Sequence, residues 1–280
     1  ELPARAAGAP AAAPAQQPAG QVRQPRGLAS DAKGRLYVAD FGNVRVQAFK
    51  PDLSPLFSVG SLGSGPAEFR DPCGVAVGAN GLIYVADTWN GRIQVLDEKG
   101  AFQREFSADF FGPRGVAVDA KGTVFVADTG NSRIVRFDGE GRKEAAWGRE
   151  PGPGKLAEPQ GLALGRDGLL YVADNGNGRV AVFTRDGAFV RAWDVPGWRR
   201  QVMSEPYLAV DASGRVWVSV PLEGEVRGYA PDGRLLATAR GKDQPEGRRF
   251  EHPSGVALLP DGRLAVADFE GRLVVISLPK

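Results

Sequence analysis

Phe125-Val126-Ala127-Asp128-Thr129-Gly130-Asn131-Ser132-Arg133-Ile134 is the stretch on which the reading of this chain turns. It returns, slightly altered, along the whole sequence. Tyr37-Val38-Ala39-Asp40 leads to Arg45, Tyr84-Val85-Ala86-Asp87 to Arg92, Tyr171-Val172-Ala173-Asp174 to Arg179, and Ala265-Val266-Ala267-Asp268 to Arg272. A weaker copy, Trp217-Val218-Ser219-Val220, leads to Glu225. The six copies lie 41 to 48 residues apart, a period that marks a repeat architecture.

One unit, the third, supplies four short strands. Pro113 to Val118 is an apolar run, Asp119-Ala120-Lys121-Gly122 a turn, and Thr123 to Asp128 a β-branched and aromatic segment suited to a pleated surface. Thr129-Gly130-Asn131-Ser132 turns the chain into a third strand, Arg133 to Phe137. Asp138-Gly139-Glu140-Gly141 then leads to a fourth, Lys143 to Trp147. This is an antiparallel meander, and no repeat places apolar residues at helical spacing. A lone four-stranded sheet cannot bury both faces. Six of them closing into a ring give an all-β, six-bladed β-propeller.

The units Pro-x-Gly-Val-Ala-Val and Tyr-Val-Ala-Asp-Thr-x-Asn-x-Arg-Ile resemble NHL repeats, from about Pro25 to Ile276. The resemblance implies a six-bladed propeller. It does not fix a function, because binding modules, sensor domains and enzymes share that scaffold.

The chain of 280 residues reads as one domain, with blades starting near residues 25, 72, 113, 159, 206 and 253. Its 38 glycines and 21 prolines suit a chain that turns about every ten residues. A net charge of +2 gives no global drive toward nucleic acid, so an RNA-binding role, known for some NHL relatives, is the weakest option. The 35 basic residues comprise 27 Arg and 8 Lys. Cys73, the one cysteine, excludes an internal disulfide. No segment is long and apolar enough to span a bilayer as a helix. A start at Glu1 without Met or a signal-like core suggests a processed chain or a domain of a larger protein, with an extracytoplasmic location favoured.

The last repeat offers three strands and no fourth. Leu2 to Ala7 resembles Leu235 to Arg240, the fourth strand of repeat five. The expectation is that residues 2–7 close the ring on the C-terminal blade, joined to the first blade by an Ala/Pro-rich link over residues 8–24.

The Asp and Arg of the motif (Asp40 and Arg45, Asp87 and Arg92, Asp128 and Arg133, Asp174 and Arg179, Asp268 and Arg272) are read as structural pairs that tie a turn together. Repeat five replaces both partners at once, with Val220 and Glu225, as interacting groups would require. On this reading Glu225 is dispensable.

The two ends of the ring differ. One carries tight Asp-Gly and Asn-Gly hairpin turns. The other receives the second-to-third turns and the long links between blades, where binding residues concentrate. Arg26, Phe41, Trp89, Arg114, Gln160, Tyr207 and Phe269 are expected around the channel mouth on that loop-rich end. Trp198, Arg199, Arg200, Arg248, Arg249 and Phe250 are expected to form its rim, Arg and aromatics being the residue types enriched at binding hot spots.

Catalytic residues are scarce. His252 is the only histidine and sits in the slot before Pro253, read as a loop position. One His and one Cys cannot build the usual zinc sites. Asn43, Asn90, Asn131, Asn175 and Asn177 on the rim could contribute oxygen ligands to Ca2+, but their regular repeat positions suit turn-forming residues better. No cofactor is expected. The sequence therefore points to a monomeric, non-enzymatic recognition module for a protein, peptide or glycan, with a lactonase- or hydrolase-like propeller carrying a divalent metal as the alternative.

Overall fold

A computed structural model describes residues 18–198 and 205–279. These residues form six antiparallel sheets, each in sequential strand order. The third blade consists of Pro113–Val118, Val124–Asp128, Arg133–Phe137 and Lys143–Trp147, within one residue of the bounds expected from the sequence. The first strands of the six blades (Leu28–Ser30, Pro72–Val77, Pro113–Val118, Pro159–Leu164, Leu208–Val210 and Pro253–Leu258) pack in succession around a central axis, the first against the last. The chain is a six-bladed β-propeller.

The packing explains the ring. Buried side chains form six apolar clusters, and each cluster fills one junction between neighbouring blades. Tyr37, Tyr84, Phe125, Tyr171 and Trp217 occupy the same place in successive second strands and are almost fully buried. Burying one such side chain stabilises by roughly 1.5–3 kcal/mol, and both faces of each sheet contribute only when a neighbour covers them.

Near the axis the blades meet backbone to backbone. The amide of Gly27 donates to the Cys73 carbonyl at 2.7 Å. A methyl group built on Gly74, Gly115 or Gly255 would overlap a carbonyl oxygen of the next blade. The Gly of Pro-x-Gly is therefore a spacing device, and blade five, which has Leu208 in that position, departs from it.

Among the described residues the sixth sheet has three strands and ends at Arg272–Ile276. Residues 2–7 lie outside the described part of the chain. We propose that they supply the fourth strand. Deleting them is expected to lower the melting temperature and to cause self-association through the unpaired edge; a truncated chain that melts and migrates like the parent would refute the assignment. No helix among the described residues is long and apolar enough to cross a membrane.

Candidate binding site at the channel mouth

The site is built from the turn upward. In blade three, Asp128 Oδ1 accepts the backbone N–H of Phe111 at 2.8 Å, across 17 residues of sequence. Its Oδ2 accepts from Arg133 Nε at 2.6 Å and from Asn131 Nδ2 at 2.8 Å. Arg133 Nη2 in turn donates to the Ala108 carbonyl at 2.7 Å. One buried carboxylate thus joins the second-to-third turn to the link arriving from the previous blade. Asp40, Asp87 and Asp174 repeat the arrangement, each paired with its Arg at 2.8 Å. In blade six the Arg272–Asp268 contact loosens to 4.0 Å, and Arg272 reaches Glu251 at 2.8 Å. The amide N–H groups of Asn43, Asn90, Asn131 and Asn177 point at these aspartates, which is turn chemistry.

Blade five rebuilds the tie with the charges exchanged. Glu225 is buried and accepts from Arg227 Nε at 2.9 Å and Arg240 Nε at 3.0 Å. Arg227 reaches the Pro196 carbonyl of the incoming link and also pairs with Glu223. The expectation that Glu225 is dispensable is therefore overturned: Glu225 holds Arg227, and Arg227 makes the contact to the link.

Links fixed in this way present two rings of residues at the axis, one on each side of the strand-opening proline. Gln24, Asp71, Gly112, Glu158, Glu205 and His252 precede it; Arg26, Cys73, Arg114, Gln160, Tyr207 and Ser254 follow it. Gln24, Asp71 and Glu158 are left-handed, with φ of 47°, 59° and 49°, at positions where the following proline disfavours the right-handed helical region.

Glu205, from blade five, forms ion pairs with Arg26 of blade one and Arg114 of blade three. Three alternate blades can meet on one carboxylate only across the axis. The Arg26 guanidinium lies 4.3 Å from the Phe41 ring centroid and 5.3 Å from that of Phe269. Tyr207 donates from its hydroxyl to the Arg114 carbonyl at 3.3 Å, and burial raises the pKa of its phenol. Burial also raises the pKa of the Asp71 carboxyl, against the opposing pull of Arg26, Arg70, a Trp89 side-chain hydrogen bond and Arg114. Arg26 Nε, Gln160 Oε1 and Glu205 Oε2 are buried here without a hydrogen-bond partner, the last held to Arg26 by charge alone.

Around this charged floor stands an apolar rim. Trp89 and Phe111 are 51% and 61% exposed and meet edge to face at 6.5 Å. Leu222 is also exposed. A pocket of about 170 Å3 opens between blades five, six and one, lined by Arg26, Glu205, Pro221, Leu222, His252 and Phe269 among others. His252 Nδ1 sits 2.9 Å from Glu270 Oε1 on its edge.

Of the residues expected at the mouth, Arg26, Phe41, Arg114, Tyr207 and Phe269 converge; Gln160 is buried and Trp89 stands on the rim. The rim expectation needs correction. Trp198 is buried, its indole N–H donating to the Ser219 carbonyl at 2.7 Å, and Phe250 is core between blades five and six. Arg248 and Arg249 are exposed on the last link. Arg199 and Arg200 lie outside the described residues. Sequence reasoning missed Glu205, Asp71, Phe111 and Leu222. The first two occupy the slot before the proline, a column visible in the repeat alignment but variable in chemistry.

The NHL repeat family matches residues 22–49, 69–96, 110–137 and 156–183. Blades one to four of this six-bladed propeller carry NHL repeats, and blades five and six lie outside the matched segments. A comparison with curated protein sequences gives no match. Among solved structures, a gluconolactonase from Xanthomonas campestris is 19% identical, with a TM-score of 0.69 over 93% of this chain and 88% of that one. A streptogramin B lyase is 15% identical, with a TM-score of 0.63 over 91% and 94%. A chain of a nidogen–laminin complex is 17% identical, with a TM-score of 0.65 over 84% and 85%. At these identities the likeness is one of fold.

Proposed function

We propose that this chain is a recognition module that binds a protein or peptide segment on its loop-rich end, centred on the channel mouth. The observation that carries this reading is the exposed Trp89–Phe111 pair beside a buried cluster in which two guanidinium groups share one carboxylate. Aromatic and Arg side chains around a desolvated centre are the composition of interaction hot spots. Glu205 neutralises one of the two guanidinium charges, which weakens the site's attraction for nucleic acid.

The test is affinity capture from the source organism with the immobilised protein. Trp89→Ala combined with Arg114→Ala is expected to abolish capture of a partner while the melting transition persists. Lys33→Ala with Lys121→Ala, on the short-turn end, is expected to leave it intact. The opposite pattern would move the working face to the other end of the ring.

The second reading, a propeller hydrolase, rests on His252, whose Nδ1 meets Glu270 at the edge of the pocket. The residues at the mouth do not suit a divalent cation. Among the described residues no three His, Cys, Asp or Glu side chains converge, and Glu205 already faces two guanidinium groups that would repel a metal. A lactone substrate turned over by the parent and not by His252→Ala would favour this reading.

A further inference from the structure

Glu205 occupies a site whose chemistry is that of a carboxylate receptor. Two guanidinium groups from blades one and three point at it, and its side chain is 6% exposed. Arg26 is held between Phe41 and Phe269, so its direction is set by packing. Arg26 Nε, a donor, remains unpartnered beside the pair, and Glu205 Oε2 makes no hydrogen bond of its own. The clamp therefore holds a donor that Glu205 does not use. It is also reachable, because Arg26 and Glu205 both line the 170 Å3 pocket, whose remaining walls include the apolar Pro221, Leu222 and Phe269.

The blade that supplies Glu205 is the one that breaks the repeat. It lacks the spacing glycine after Pro-x and has Val220 in place of the aspartate. No structural rule of the repeat calls for an acid in this slot, since the other blades carry Gln24, Asp71, Gly112, Glu158 and His252 there. A buried ion triad is also weak evidence of a stabilising role, because well-packed apolar groups often serve as well or better.

We propose that Arg26 and Arg114 form a receptor for an acidic side chain of a peptide, and that Glu205 is its internal occupant, displaced when the peptide binds. This rests on the recognition reading above. Exchanging one carboxylate for another leaves the charge of the cluster unchanged, so Arg26 and Arg114 are not left facing each other without an acid. The apolar neighbours of the acidic residue then pack on Leu222 and Phe269 in the pocket and on Trp89 and Phe111 at the rim.

The experiment uses a random heptapeptide library displayed on phage and panned against the full chain. Enriched peptides are expected to carry Asp or Glu next to an aromatic or aliphatic residue. With one such peptide made synthetically, replacing its acidic residue by the amide is expected to weaken binding by about tenfold or more, the scale of one charge-assisted hydrogen bond. Arg114→Met should cause a similar loss, and Glu205→Gln should tighten binding by about the same factor because the competitor has lost its charge. If Glu205→Gln does not fold, the acid-to-amide comparison on the parent and on Arg114→Met decides. Enriched peptides without an acidic residue, or a Glu205→Gln protein that binds no tighter, overturn the proposal. In that event peptides whose binding still requires Trp89 leave recognition at the mouth standing, whereas the absence of any Trp89-dependent peptide overturns both.

Discussion

Asp128→Ala is expected to lower stability by about 3–5 kcal/mol, the range for removing one partner of a buried ion pair. Asp128 is fully buried and answers three donors: the Phe111 amide, Arg133 and Asn131. Alanine leaves all three without their acceptor and releases the link between blades two and three from the turn. Arg133→Ala should cost less, because the Asp128 carboxylate keeps two donors and the Arg133 side chain is 13% exposed. Glu225→Ala in blade five should also destabilise, since Arg240 loses its carboxylate partner and Arg227 loses one of its two. Urea midpoints for the three variants test the order. Small, equal shifts would show that the aspartate network does not carry the blade-to-blade connection.

Gly115→Ala is the second substitution with a large expected effect. The new methyl would overlap the Gln160 carbonyl oxygen of the next blade and also press on Ala127. Overpacking usually costs about 1–3 kcal/mol when side chains can yield. Here the obstacle is backbone at the ring's narrowest radius, so relief requires two blades to part, and the cost should lie at or above the top of that range. Gly139→Ala is the control. It lies on the outer turn between the third and fourth strands, its methyl would approach nothing closer than the Gly122 carbonyl oxygen at 3.8 Å, and it should change the melting temperature little. A Gly115→Ala protein as stable as the control would mean that the inner strands are held less closely than the collar of glycines implies.

The fold was legible in the sequence because a propeller blade is a local object. Val124 to Asp128 is a short β-branched and aromatic run buried on both faces, its turns carry their own Gly and Asn, and each strand pairs with the next in sequence. The repeated Asp and Arg also revealed their pairing, because their spacing of five residues brings them opposite each other across one turn, as in Asp128 with Arg133. Repeat five showed the limit of that reasoning. Glu225 looked idle because its new partner, Arg227, follows no motif.

The channel mouth was legible only in part. Arg26, Phe41, Arg114 and Phe269 could be placed there from their repeat positions, since position in a repeat fixes radius and end of the ring. What position cannot convey is which side chains meet across the axis. Arg26 and Glu205 are far apart in sequence and lie on different blades, and their pairing depends on ring closure, which no single repeat encodes. Burial on the rim follows the same division. Trp198 and Trp89 are both aromatic residues near the same end, yet the link around Trp198 folds it onto Ser219, while Trp89 sits on a tight turn that leaves half of it exposed. Local pattern determined the strands, turns and ring; the contacts between blades, set by distances that close only in the assembled ring, decided which residues form the site.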